Sequence, residues 1–451
     1  MYKRRAIRVS LNGLALGVAC ALVLSTGTVL ALPAFDSGTS VAFNAEDNAL
    51  VSYAANPAKL VYYARSAVLL DVGGDWSMGS IKYSEGGGKG KPGTPPEPGE
   101  AAAELTFNVA AASSVLGVFR SGSTVAAFGG GVDWTTFSVG LSGVSVPEVG
   151  YWEGDAYTFN VPSERAEAVV AFDLGPWAFG ASGRFSYTDA TSEDKWYEYG
   201  RWEPESGWSF DELTLTNVEF LGGAFYRSGD THLGFAGGLQ VLRNSLDLLY
   251  SETSYWYWYP RHDGFKASAT RFLGQADYRT MPWSKVGVGL KFDFKIAPVV
   301  AIDEHDVDYR VGEGLEYDLA FRPGFALYPD EKTTVAFDYN VNLVHLGYDE
   351  LDHMGRIFNE YNFDDLATST QVGLERWFTD DVSFKAGWRQ NVLAVPRNTM
   401  FAGACYRPSE NWTFNYDFAE GYVTVNDPSA FLSLSDLVHP GSHRITLTHN
   451  F

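Results

Sequence analysis

The chain has 451 residues, a formal net charge of −22, 45% hydrophobic residues and 15% aromatics. So acidic a chain repels phosphate backbones, which argues against a nucleic-acid partner, and it has no basic patch to hold anionic lipid. Of its two cysteines, Cys20 lies in the N-terminal apolar run, so Cys405 stands alone beyond it and neither an internal disulfide nor a cysteine metal site is available there.

The N-terminus reads as an export signal over residues 1–31. Lys3, Arg4, Arg5 and Arg8 form a basic start, Leu11 to about Leu32 is apolar, and Val29-Leu30-Ala31 offers small residues for cleavage after Ala31. Removing those four basic residues takes the net charge from −22 to −26. The apolar run is also long enough for an uncleaved transmembrane helix, the competing reading. Beyond Leu32 no apolar run reaches the ~18 residues of a helical span. The remainder is therefore either soluble and exported or a β-barrel.

Phe43 to Tyr63 follows the signal and is not strand-like. It predicts a short helix from Glu46 to Tyr53, then Asn56-Pro57-Ala58. Pro57 lacks an N–H and holds Asn56 extended. Asn56 can satisfy backbone groups that a buried segment would leave unpaired, and Ala58 permits close packing. These three are expected to fix the segment in place.

From residue 64 onward the pattern has period two. Val286, Val288, Leu290, Phe292, Phe294 and Ile296 share one face, and Lys291, Asp293 and Lys295 the other. Val335 to Leu343, Val382 to Trp388, Trp412 to Phe418, Trp177 to Tyr187 and Leu315 to Phe321 behave alike. Each run is roughly ten residues or more, which suits tilted strands crossing a bilayer better than the shorter strands of a soluble sandwich. Tight turns with Gly, Pro and Asp chemistry fall at Arg120-Ser121-Gly122, Gly175-Pro176, Gly229-Asp230, Met281-Pro282, Pro329-Asp330-Glu331, Thr379-Asp380-Asp381 and Pro408-Ser409-Glu410. The opposite connections are long (84–103, 145–163, 190–210, 250–264, 298–312, 348–365 and 422–439), and only Leu393 to Arg397 is short. Short turns on one side and long loops on the other are the pattern of an outer-membrane barrel. Tyr255-Trp256-Tyr257-Trp258-Tyr259 fits the membrane interface or a partner.

The turns give about sixteen strands, although 104–119 and 123–143 are rich in Gly and Ala and alternate poorly. The last strand ends on Phe451 and resembles the assembly signal read by the barrel-assembly machinery. In lipid an open sheet edge is excluded, so the first and last strands must meet. Gly129, Gly130 and Gly131 weaken a strand and permit a kink that would open the wall laterally, or they pack against an inner segment. No phosphate loop, Gly-x-Ser-x-Gly or His-based metal spacing is present, and Asp303-Glu304-His305-Asp306 reads as a solvated acidic run. No enzyme activity, cofactor or metal is expected.

Phe43 through Leu60, the glycines at 129–131, and Ala386-Gly387-Trp388 through Pro396-Arg397-Asn398 to Cys405-Tyr406 together resemble the FadL/TodX/OmpP1 family of outer-membrane transporters. Lys59 stands where that family usually has glycine. The resemblance implies an all-β, fourteen-stranded antiparallel barrel over residues 64–451 and an N-terminal hatch over 32–63 plugging the lumen. It also implies passive passage of long-chain fatty acids or aromatic hydrocarbons, a monomer in outer-membrane lipid, and apolar ligand contacts at Leu32, Phe35, Val41 and Phe43. The competing readings are a general diffusion porin, favoured by the inward charges and disfavoured by the hatch-like segment, and a surface adhesin or enzyme on a barrel scaffold.

Overall fold

A computed structural model describes residues 53–83, 101–141, 144–146, 150–152, 155–199, 204–254, 257–303, 309–351, 354–391, 398–419, 432–438 and 442–451. The segment assigned to the export signal and most of the segment assigned to the hatch lie outside these residues.

The strands are β1 (Ala67–Tyr83), β2 (Ala101–Ser121), β3 (Thr124–Leu141), β4 (Val144–Val146), β5 (Gly150–Trp152), β6 (Asp155–Leu174), β7 (Trp177–Tyr199), β8 (Pro204–Ser228), β9 (Thr231–Ser254) and β10 (Tyr257–Trp283). They continue with β11 (Val286–Asp303), β12 (Tyr309–Asp330), β13 (Thr333–Leu351), β14 (Ile357–Trp377), β15 (Val382–Asn391), β16 (Asn398–Ser409), β17 (Trp412–Ala419), β18 (Leu432–Val438) and β19 (Ser442–Asn450). Consecutive wall strands pair antiparallel, and β19 pairs with β17 on one side and β1 on the other, so the sheet closes. β18 continues the same line along the outer part of β1, and β4–β5 is a small hairpin beside β7.

The wall therefore has sixteen strands, the number that the turns give and two more than the resemblance implies. The Gly/Ala-rich stretches at 104–119 and 123–143 are both wall strands, β2 and β3. Two details differ from expectation. β10 runs through Met281 and Pro282, and the turn falls at Ser284 and Lys285. The stretches 145–163, 190–210, 250–264, 298–312 and 348–365 are mostly strand rather than loop, with β6 starting at Asp155, β7 reaching Tyr199, β10 starting at Tyr257, β11 reaching Asp303 and β14 starting at Ile357. Their acidic, aromatic composition looks loop-like because a strand that rises past the bilayer no longer needs one apolar face. Three short turns carry glycine with positive φ, at Gly122, Gly175 and Gly229, where a side chain would be strained.

The large apolar side chains that remain exposed share the outward face. Val288, Leu290, Phe292 and Ile296 point out of β11, as do Phe384 of β15 and Phe414 and Tyr416 of β17. A continuous apolar belt on a closed barrel marks a lipid-facing wall. Inward positions align across strands in rungs. One rung runs Arg120, Val125, Ala171, Gly180, Gly223, Ala236, Gln275. Two steps higher another runs Leu69, Leu116, Gly129, Glu167, Arg184, Glu219, Gln240, Arg271 and on, past Ala297, to Glu316. Beyond Arg120 the lower rung holds small or apolar residues from β3 to β9, and the upper one is charged from β6 onward. The main buried apolar cluster lies at the short-turn end, between that small-residue wall and residues 53–63.

The lipid-facing assignment predicts that Phe292→Arg destabilises the barrel by about 2–4 kcal/mol, read as a lower urea midpoint for unfolding from lipid vesicles. Phe292→Leu should leave the midpoint nearly unchanged, and an equally harmless Arg would place Phe292 in water instead.

Candidate functional site

The described part of the N-terminal segment lies inside the barrel. Tyr53, Ala54 and Ala55 form one helical turn, Asn56 is extended, and Pro57–Tyr62 is a 3-10 helix. Asn56 caps that helix: its Oδ1 accepts from the Ala58 N–H at 3.1 Å and its carbonyl accepts from the Lys59 N–H at 2.9 Å. Pro57 sits at the first helical position, where a missing N–H is harmless.

The other end of the Asn56 side chain ties the segment to the wall. Its Nδ2 donates to the Ala224 and Phe235 carbonyls, both at 3.2 Å. Those residues are register partners across β8 and β9, so one amide reads two sheet carbonyls at once. The seat is cut by glycines. A Cβ on Gly180 would lie 2.5 Å from the Ala58 nitrogen, and one on Gly223 would run into Asn56 Oδ1. Gly180 and Gly223 are themselves partners across β7 and β8. A pair of bare positions thus lets the backbone of Pro57 and Ala58 lie flat on the sheet.

Charged contacts grip both flanks. Lys59 Nζ lies 2.7 Å from Asp277 Oδ2 of β10 and 5.4 Å from the centroid of the Phe225 ring. The Asp277 carboxylate reaches across Gly234, where any side chain would collide with it. Tyr62 meets the edge of Phe225 and places its hydroxyl 3.1 Å from His232 Nδ1. Arg120, at the end of β2, donates Nη1 to the carbonyls of Val61 and Tyr63 at 3.0 and 2.8 Å. Asp173 backs this clamp and is held in turn by Arg227 at 2.8 Å.

At its upper end the segment meets the charged rung. Tyr53 donates its hydroxyl to Glu167 at 3.0 Å. Burial, reinforced by the Glu167 carboxylate, pushes the Tyr53 phenol well above its ordinary pKa, so the proton stays on the donor. Arg184 joins Glu167 at 3.4 Å and Glu219 at 2.6 Å. Farther along, Arg271 is bidentate to Glu316 at 2.9 and 3.0 Å and donates to Gln240 at 3.3 Å. Arg271 can reach β12 because the intervening β11 position is Ala297.

The structure thus brings Asn56, Pro57 and Ala58 together on β7–β9, all three buried. Leu32, Phe35, Val41 and Phe43 lie outside the described residues. Gly129, Gly130 and Gly131 fall in β3, which pairs through them in register with β2 and β6. A Cβ on Gly129 would lie 2.8 Å from the Val115 carbonyl, and one on Gly131 2.7 Å from that of Ser113, so these glycines let β3 lie tight against β2. Lys59, Asp277, Arg120, Gly180 and Gly223 carry no sequence motif. The one available signal was Lys59, an unexpected charge inside an apolar run. Among the described residues no group of His, Cys, Asp and Glu is placed to hold a metal.

No family model matches the chain, and no curated protein does. Several solved barrels are similar at low identity. The TodX deltaS2S3 mutant monoaromatic hydrocarbon channel is 13% identical with a TM-score of 0.46, over 89% of this chain and 94% of that one. The Ralstonia pickettii toluene transporter TbuX is 13% identical with a TM-score of 0.43, over 89% and 93%. A Pseudomonas aeruginosa FadL homologue is 13% identical with a TM-score of 0.41, over 93% and 97%.

Proposed function

We propose that this chain is a bacterial outer-membrane channel whose lumen is obstructed by its own N-terminal segment, and that it passes hydrophobic compounds passively, long-chain fatty acids first among them. The observation that carries the reading is the seat. Asn56 is bonded to two wall carbonyls, its helix lies on a matched pair of glycines, and ionic grips close on Lys59 and on the Val61 and Tyr63 carbonyls. A free pore has no use for a wall shaped to hold a piece of chain. The role of Asn56, Pro57 and Ala58 in this scheme is to fasten the plug; they do not touch the ligand. Leu32, Phe35, Val41 and Phe43 supply apolar contacts for it, as hydrophobic sites generally require. A lateral exit at Gly129 to Gly131 would require the β2–β3 or β3–β6 ladder to part, because both are in register there.

A general diffusion porin is the second reading. Lys291, Asp293, Lys295 and Arg322 line the inner face of β11 and β12 and stay partly exposed, as water-facing groups of a hydrophilic pore do.

Planar-bilayer recording together with radiolabelled oleate binding separates the two. Deleting residues 32–60 should raise single-channel conductance and abolish oleate uptake; unchanged conductance would mean that no plug sits in the lumen. Purified protein should bind oleate saturably, whereas a porin would not.

The seat gives a finer test. Gly223→Val places methyl groups where Asn56 now lies and should raise conductance with little change in barrel stability. Gly222→Val, at the neighbouring outward position, should leave conductance as it was. Asn56→Ala removes both wall bonds and the cap on the helix, a loss of about 1–3 kcal/mol from the plug's attachment, seen as more frequent open events at fixed voltage.

A further inference from the structure

The ion pairs on the inner wall change character along β11 and β12. Nearest the short turns, Lys291 and Arg322 flank Asp293 at 3.6 and 3.5 Å, with side chains 23%, 38% and 22% exposed. Higher up, Lys295 and Asp318 stand 3.4 Å apart at 27% and 15%. On the next rung Arg271 and Glu316 close to 2.9 Å at 0% and 6%. Immediately beside and above that pair Leu242, Ala269, Ala297 and Val299 form an apolar cluster with Leu346, each of the first four at most 2% exposed. Loose, partly exposed pairs are what charges do in water; short, bidentate, dry pairs are what they do out of it.

We infer that Arg271 and Glu316, braced by Gln240, form a closed bar across β9–β12 that ends a water-filled vestibule entered from the short-turn side and keeps the wall above it dry. The bar suits its position. Its two charges cancel, so it gives a passing ion no net attraction. Its guanidinium is fully engaged along the rung, with Glu316 on one side and Gln240 on the other. A hydrated ion moving up the β11–β12 wall would have to leave its water to enter the layer of Leu242, Ala269 and Val299, which offers no polar replacement. The bar thus marks the upper limit of water contact on the β9–β12 wall, distinct from the grip on Asn56 and Lys59. This inference needs only that the chain is a membrane barrel. It stands whether the transported compound is a fatty acid, an aromatic hydrocarbon or neither.

Cysteine accessibility tests it. In a Cys405→Ala background, single cysteines at Lys291, Lys295, Ala269 and Val299 are treated with a charged, water-soluble methanethiosulfonate. Cysteines at 291 and 295 should label readily, and those at 269 and 299 at least about tenfold more slowly, since a thiol reacts only where reagent and water reach it. Adding Glu316→Gln, which keeps the shape of the side chain and removes its charge, should bring the rates at 269 and 299 toward that at 295. Arg271→Met should do the same, so a folding failure in one variant does not decide the matter. Rates at 269 and 299 equal to that at 295 in the parent would overturn the inference, as would slow labelling there that neither variant changes. Oleate binding, measured on the same proteins, reports separately on the proposed transport.

Discussion

The structure depends first on the pairing of Ala67–Asp75 of β1 with Ser442–Asn450 of β19. Hydrocarbon offers no hydrogen bonds, so a sheet in lipid must have no free edge. Every other feature follows from meeting that demand at sixteen strands. The seam is reinforced on its inner face, where Asp71 accepts from Arg444 at 2.7 Å and from the Thr446 hydroxyl at 2.9 Å, all three buried. The closing strands are the first and last of the wall, and a local ion pair adds register to what backbone pairing alone leaves free to slide by two residues.

Closure at this strand number creates the second problem. A barrel of eight strands is filled by its own side chains, whereas sixteen leave an interior that side chains cannot fill. Residues 53–63 occupy part of that space against β3 and β6–β10. A β-sheet is a poor surface to dock on, because its ladder bonds are already made and its side chains alternate. The chain answers with two devices. Pairs of inward glycines remove the side chains locally, and Asn56 uses the second lone pairs of sheet carbonyls that are otherwise spent on the ladder.

Much of this was legible in the residues, and the failures have physical causes. The period-two runs of β11, β13, β15 and β17 appear where the alternation put them, because one face of each must be apolar against lipid. β2 and β3 alternate weakly because their inward residues are small: Ser114, Ala127 and Gly129 lie against neighbours that cover them, so size rather than polarity sets their pattern. The upper parts of β7–β10 read as loops because no bilayer disciplines them. At the site, the restraint of Pro57 on Asn56 and the use of Asn56 to satisfy backbone groups were legible, since those effects are local; the 3-10 helix that Asn56 caps was not. Its seat was not, because Gly180 and Gly223 become meaningful only once the register sets them side by side. Lys59 and Asp277 are 218 positions apart, and no sequence spacing links them.

The choice of an ion pair at Lys59 is the least expected feature of the seat. A buried pair adds little net stability over well-packed apolar groups, but removing either partner leaves a charge stranded. That asymmetry makes it a device for position. The apolar contacts of Ala58, Leu60 and Val61 would tolerate a shifted plug, since one small-residue wall resembles the next. Lys59 on Asp277 and Arg120 on the Val61 and Tyr63 carbonyls would not: a slip of one residue would leave a buried ammonium and a carboxylate unpaired and take two carbonyls away from the Arg120 guanidinium. Apolar area therefore supplies the attraction between segment and wall, and the charges fix the single place where it acts.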